Sequence, residues 1–379
     1  MRILIVTGVR RQKEAGAAGV ALNHARELEK LGHQVECWFL DDILKRPVKP
    51  RFEALIFATA IARRIVKDAS RFDVVNIHAP WGCVYGVWRK LFRPKGALPY
   101  ILTMQGSEER YVYAMRREDR KGRALNFSLK NRLWHRIYHQ VMYDLSIRTA
   151  DYGAVADREA WICAELMHDR NPGVIWYVPN GTEERFFMDR EYAEKSPSRL
   201  LYVGTWLDRK GVYYLADAFK ILARINPDIR MTIAGCMVSD KEVRKYFAAE
   251  LRDRVAVVPF VKREDMPAIY AEHDIFVCPS LVEGMPLTLL EAMAAGMPVV
   301  TTNTCGMPDV VEDEFNGLVV QTADAEKLAA AIGRFCNSTM LRKQLGLEGQ
   351  RTVRRYTWGH VTQKLENILV LAARNAGHN

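Results

Sequence analysis

The chain has 379 residues and a mass of 43.4 kDa, 49% hydrophobic and 26% charged, so it exceeds the size at which one hydrophobic core stops growing, and two domains of similar size are expected. No apolar run approaches the roughly 20 residues that span a bilayer, which argues against an integral membrane protein. The net charge of +10 is one-sided: residues 1–150 hold 28 Lys+Arg against 14 Asp+Glu, a balance of +14, and residues 151–379 hold 27 against 31, a balance of −4, so an anionic partner is expected for the first half.

The opening stretch Met1-Arg-Ile-Leu-Ile-Val-Thr7 has one basic residue and too short an apolar run for a signal peptide, and it reads as a buried first strand. Further short apolar runs fall near 34–39, 73–78, 99–104, 152–156 and 174–178, then near 199–204, 229–234, 254–258, 274–278, 298–301 and 317–320. Helix-length amphipathic stretches separate them, the pattern of parallel sheets flanked by helices: an α/β chain of two Rossmann-like domains. Val178-Pro-Asn-Gly181 supplies turn formers for a hinge, so the domains are expected at 1–180 and 181–357. Residues 358–379 read as a last helix that could pack back on the first domain.

The seven cysteines lack any C-x-x-C pair and mostly sit among apolar neighbours, which fits reduced thiols in a cytoplasmic protein. The nine histidines show no metal-ligand spacing, so no metal is expected. Between Arg110 and Arg136, nine basic residues with Tyr111, Tyr113, Phe127 and Trp134 interleaved face only Glu118 and Asp119. A solvated charged face is one reading; contact with anionic lipid headgroups or a phosphate-bearing acceptor is another. No nucleic-acid-binding motif accompanies the charge.

The stretch Cys278-Pro-Ser-Leu-Val-Glu283-Gly-Met-Pro-Leu-Thr-Leu-Leu-Glu291-Ala-Met-Ala-Ala-Gly296-Met-Pro298 encodes a strand, a loop and a helix. Pro286 suits the first helical turn, and Gly296 followed by Pro298 ends the helix. A helix that begins just past a strand's carboxyl end turns unpaired N–H groups outward, where they and the helix dipole attract a diphosphate. Gly284, Met285, Leu287 and Thr288 are therefore candidate donor contacts. Glu291, about one and a half turns inside, leans toward the helix N-terminus and can accept hydrogen bonds from a ribose, while Glu283 faces the group beyond the phosphates.

Two glutamates eight positions apart around this Gly/Pro loop resemble the signature of the retaining glycosyltransferases of family 4. The resemblance implies the GT-B fold, with parallel sheets facing across a cleft, an acceptor-binding first domain and a donor-binding second domain. It places Glu283 on the donor sugar and Glu291 on the nucleotide ribose. Tyr202-Val-Gly-Thr-Trp-Leu-Asp-Arg-Lys210-Gly211 resembles the family's Gly-Arg-x-x-x-x-Lys-Gly loop, which makes Lys210 the phosphate-binding lysine; the family arginine is Thr205 here, and Arg209 is the candidate substitute. Gly16, in a glycine loop ahead of the first long helix, is a further candidate donor contact, with a plain tight turn as its alternative, and base contacts in such folds often use backbone near Val261.

Asp73-Val-Val-Asn-Ile-His78 and Pro99-Tyr-Ile-Leu-Thr-Met-Gln105-Gly106 match the next strand ends. His78 is a candidate catalytic residue, with a satisfied buried histidine as its alternative. Gln105 stands where many relatives carry histidine; it cannot act as a general base but can orient a hydroxyl. Matches at Val178-Pro-Asn-Gly181, Cys305-Gly-Met-Pro-Asp309 and Asn316-Gly317 complete an ordered set. The expectation is a nucleotide-sugar-dependent hexosyltransferase without a metal cofactor, acting on a glycan, lipid-linked or small-molecule acceptor in polysaccharide or glycolipid assembly. It would be cytoplasmic or peripheral on the inner face of the membrane. An epimerase or phosphorylase on the same fold, and an inactive carbohydrate-binding or scaffolding subunit, remain open as alternatives.

Overall fold

A computed structural model describes residues 1–11, 16–45, 50–92, 94–106, 108–123, 140–168, 170–192 and 199–376. Among them, every apolar run expected to be a strand is one. The first sheet contains β1 (Arg2–Val6), β2 (Gln34–Trp38), β3 (Val74–His78), β4 (Tyr100–Met104), β5 (Tyr152–Val155) and β6 (Ile175–Tyr177), all parallel, in the order β2-β1-β3-β4-β5-β6. The second contains β7 (Arg199–Val203), β8 (Arg230–Ala234), β9 (Val255–Val258), β10 (Ile275–Cys278), β11 (Val299–Thr302) and β12 (Leu318–Val320), also parallel, in the order β12-β11-β10-β7-β8-β9. Parallel sheets are covered on both faces, which is why Ile3-Leu-Ile-Val6 of β1 is continuously apolar rather than alternating.

Helices that bear on function are α1 (Gly16–Lys30), α2 (Glu108–Asp119), α3 (Val212–Ile225), α4 (Leu287–Ala294) and α5 (Trp358–Ala376). The chain divides into two compact units, one of Met1–Glu109, Asn126–Gly181 and Trp358–Asn379, the other of Arg110–Leu125 and Thr182–Thr357. In the first, one face of the sheet packs Leu4, Val6, Val75 and Ile77 against Phe57, Ile61 and Tyr85. The other packs Ile3, Ile5, Val74 and Ile101 against Ala21, Ala25 and Leu28 of α1 and Leu365, Ile368, Leu369 and Ala372 of α5. The spacing of those α5 residues is helical, so one stripe of the last helix completes this core. In the second unit, Leu200, Met231, Ile275 and Val300 join Val212, Leu215 and Phe219 of α3.

Arg110–Leu125, expected within the first domain, groups with the second unit. Its anchor is Glu118, only 2% exposed, whose two carboxylate oxygens accept from the Tyr214 hydroxyl on α3 at 2.9 and 2.7 Å. Lys121 donates to the same hydroxyl at 2.8 Å, and Arg123 pairs with Asp217 at 3.2 Å. The rest of the expected basic segment, residues 124–136, lies outside the described residues.

Strand order reverses at β1/β3 in one sheet and at β7/β10 in the other. Loops leaving the carboxyl ends of such a strand pair diverge, and doubly wound sheets bind ligands in the resulting crevice. His78 ends β3 and Gly16 opens α1 at the first point; Gly204–Gly211 follows β7 and Pro279–Pro286 follows β10 at the second. Gly211 ties the latter two loops together: its φ is +72°, and a Cβ there would lie 1.9 Å from the Pro279 carbonyl oxygen.

The α4 start differs from expectation by one residue. Pro286 is the N-cap rather than part of the first turn, because its ψ of 123° is extended while its carbonyl accepts from Leu289 and Leu290. At the other end Gly296, φ +67°, donates to Met293, and Met297 donates to Ala292, a paired closure that requires a left-handed residue.

Ile368 is fully buried, so Ile368→Ala is expected to cost about 2–5 kcal/mol in urea unfolding; no loss would contradict the role of α5 in the first core. Gly211→Ala combines a positive φ with a backbone clash and should cost more than about 1 kcal/mol, lowering the melting temperature by about 2–4 °C or more. An unchanged transition would mean that the two loops are not held as described.

Candidate functional site: a cation pair at the second switch point

The loop after β7 carries Arg209 and Lys210, and the loop after β10 carries Glu283. Arg209 Nη1 donates to Glu283 Oε1 at 3.0 Å, and Lys210 Nζ pairs with the same oxygen. The backbone reinforces the junction: the Arg209 carbonyl accepts from Leu281 N at 2.8 Å and Val282 N at 3.3 Å. Burial alone would raise the Glu283 carboxyl, but the Lys210 ammonium and Arg209 guanidinium outweigh it and hold the group below the usual carboxylate range. The side chains of Lys210 and Glu283 are 14% and 11% exposed, so the charges sit in a partly desolvated niche where each counts for more than in water.

Each of these two loops leads into a helix start. Gly211 precedes α3 and Pro286 precedes α4, and neither helix has a side-chain N-cap. Of the expected donor contacts, Leu287 and Thr288 are half-buried in the first turn of α4, Met285 is buried, and the Gly284 carbonyl accepts from Gly306 at 2.9 Å, which joins the Cys305-Gly306 loop to the site. Thr205, half-buried in the loop after β7, accepts through its carbonyl from the Tyr202 hydroxyl. Val261 is half-buried in the loop after β9.

Glu291 is 1% exposed and belongs to a second network. Its Oε2 accepts from the Tyr270 hydroxyl at 2.8 Å, and its Oε1 forms an ion pair with Arg263 Nη1 at 2.5 Å without an N–H aligned on it. Arg263 also donates through Nε and Nη2 to Glu183 Oε1, at 3.1 and 2.8 Å, and lies over the Phe186 ring at 4.7 Å. Burial would raise Glu183, but the hydrogen bonds and charges of Arg263 and Arg185 lower it below its ordinary range. Sequence reasoning missed Arg263, Tyr270 and Glu183. Arg263 sits in Lys262-Arg-Glu-Asp265, a run with the look of solvated charge, and no local pattern marks it as a partner for a glutamate 28 positions away.

The remaining candidates belong to the first unit. His78 is 4% exposed, and burial depresses its imidazole to about 4, so it is neutral near pH 7; its Nδ1 has no hydrogen-bond partner among the described residues. Burial first, and His78 second, lower His24 to about 3, and its Nδ1 lies 2.9 Å from Thr362 Oγ1. Gln105 is half-buried beyond β4, and Gly16 is exposed with a φ of +56°. Among the described residues no three His, Cys, Asp or Glu side chains converge as a metal site, the seven cysteines form no disulfide with one another, and no helix is long and apolar enough to cross a membrane.

Residues 184–352 match the family model of glycosyl transferases group 1. Spore coat protein SA of Bacillus subtilis is 30% identical over 206 residues, covering 51% of this chain and 55% of that protein. Amylovoran biosynthesis glycosyltransferase AmsK of Erwinia amylovora is 32% identical over 158 residues, 40% of this chain and 39% of its own length. The aligned part is thus about half the length of these curated relatives. Sucrose-phosphate synthase from Thermosynechococcus elongatus superposes with a TM-score of 0.78 at 18% identity, covering 99% of this chain and 100% of that one. Anabaena HepE in complex with UDP-glucose superposes at 0.70 and 16%, covering 97% and 99%. At these identities the likeness shows the fold alone, GT-B. The stretch that matches the glycosyl transferases group 1, residues 184–352, is the one that holds Lys210, Glu283 and Glu291.

Proposed function

We propose that the chain is a retaining, family 4-type glycosyltransferase that moves a hexose-type sugar from a nucleotide diphosphate to an acceptor hydroxyl. The observation that carries this reading is the meeting of Arg209, Lys210 and the uncapped start of α4 at one switch point, because a pyrophosphate needs cations and free N–H groups together. Charge grows on the departing diphosphate in the transition state, so Lys210 and Arg209 act where stabilisation lowers the barrier, with Arg209 standing in for the arginine absent at Thr205. Glu283 neutralises both cations while the niche holds no anion; an incoming diphosphate takes them over and releases the carboxylate toward the sugar. Front-face attack, with the leaving phosphate accepting the acceptor proton, then needs neither a protein nucleophile nor a metal.

The first unit takes the acceptor role, with Gln105 orienting a hydroxyl and His78 a neutral imidazole beside it in the same sheet's loop ends. Polysaccharide or glycolipid assembly in the cytoplasm is the proposed setting. The relatives support it: besides the amylovoran enzyme, a capsular polysaccharide biosynthesis glycosyltransferase of Staphylococcus aureus is 28% identical over 182 residues. Contact with anionic membrane is proposed through Arg110–Leu125, which carries six basic against two acidic residues, with one of the latter, Glu118, buried, and Tyr113 61% exposed.

A thermal-shift screen with UDP-, GDP- and ADP-sugars should raise the melting temperature with at least one, since ligand at 100 times Kd adds about 2.7 kcal/mol; no shift with any would contradict the reading. Glu283→Gln should lower kcat roughly 100-fold, the loss typical of one preorganised electrostatic group, and change nucleotide-sugar KM less than about threefold. Kinetics equal to wild type would remove Glu283 from the mechanism. Reversing the basic surface with Arg116→Glu, Arg117→Glu and Arg120→Glu should abolish co-sedimentation with phosphatidylglycerol vesicles, and unchanged sedimentation would exclude attachment through that segment.

A further inference from the structure

We infer that Arg263 is a positioning residue that sets the carboxylate of Glu291 for the nucleotide ribose by bridging it to Glu183. This rests on the donor-site reading above, but the observations are its own. The guanidinium is engaged on three sides: Nη1 against Glu291 Oε1, Nε and Nη2 against Glu183 Oε1, and the Phe186 ring beneath it at 4.7 Å. Phe186 is fully buried and meets the Tyr270 ring edge-on at 5.8 Å, so the platform is itself packed. Tyr270 then holds the other oxygen of Glu291 at 2.8 Å.

A glutamate at the fifth position of a helix has several rotamers, and an acceptor that must meet two ribose hydroxyls works in few of them. The Tyr270 hydroxyl occupies one acceptor site on Oε2, and Arg263 lies against Oε1 as an ion pair with no N–H aligned on it, so of the roughly four hydrogen bonds a carboxylate can accept most are left over for a ligand. Glu183 is the second residue after the passage from one unit to the other at Gly181–Thr182, and it is gripped in turn by Arg185 at 2.7 Å. The ribose-reading carboxylate is thereby anchored to the start of the second unit's linker. Only a planar fork spans two carboxylates in this way; a lysine ammonium at the same place supplies charge but not the geometry.

The test measures Kd by calorimetry for UDP, GDP and ADP, and for the 2′-deoxy and 3′-deoxy forms of whichever binds. Wild type should prefer the ribonucleotide by about 10-fold or more, the value of a hydrogen bond to a charged acceptor. Arg263→Lys, with its melting temperature near that of wild type, should reduce this preference to below about threefold. Arg263→Met leaves the buried Glu291 and the half-buried Glu183 without their cation and can unfold the unit, so Arg263→Lys is the deciding variant, and Glu183→Gln, which frees one edge of the fork, should give an intermediate ratio. A residue that merely supported the fold would weaken ribo and deoxy forms equally. A wild-type ratio retained in Arg263→Lys overturns the inference while leaving the donor site intact; failure of wild type to bind any of the three diphosphates overturns the donor-site reading and this inference with it.

Discussion

One carboxylate shared by two cations organises the second unit: Glu283 draws Arg209 and Lys210 of the loop after β7 toward the loop after β10. Neither loop would otherwise have reason to keep its charges together, since Arg209 and Lys210 repel and burial opposes all three. The arrangement is possible because the backbones are already fastened by Arg209 O to Leu281 N and by the contact of Gly211 with Pro279. A buried ion pair on its own is weak testimony for stability. Its value here lies in keeping two cations poised without leaving either one unpaired in a desolvated niche.

Around that junction the fold supplies direction. In the second sheet β7 and β10 are neighbours although three strands apart in sequence, so the helices that follow them, α3 and α4, both begin at the crevice. The C-terminal end of α4 is equally fixed: Gln350, Arg190 and Tyr192 donate to the carbonyls of Ala294, Ala295 and Gly296. Those partners satisfy carbonyls that a helix end leaves open, and Arg190 adds positive charge where the dipole is negative. The helix bearing Glu291 is thus held at its far end by side chains and at its middle by Tyr270 and Arg263.

Much of this was legible in the sequence. The strands could be read because parallel, doubly covered strands are continuous apolar runs, and Lys210 and Glu283 could be paired because each follows such a run by a few residues in a Gly- or Pro-marked loop. The start of α4 was displaced by one residue because proline is suited both to the N-cap and to the turn after it. What could not be read depends on closure over long separations. Arg263 looks like solvated charge until Glu183 and Glu291 are folded onto it, 80 and 28 positions away. Likewise the membership of Arg110–Leu125 turns on Glu118 meeting Tyr214 across 96 positions, a contact that a basic, seemingly exposed helix does not announce.

Whether Arg209, Lys210 and the start of α4 grip a pyrophosphate is decided by a crystal structure with a bound nucleoside diphosphate. The diphosphate is expected within about 3 Å of Lys210 Nζ, the Arg209 guanidinium and the first N–H groups of α4, with the Glu283 carboxylate turned away from both cations. A diphosphate bound elsewhere, with the Glu283 ion pairs unbroken, would contradict it.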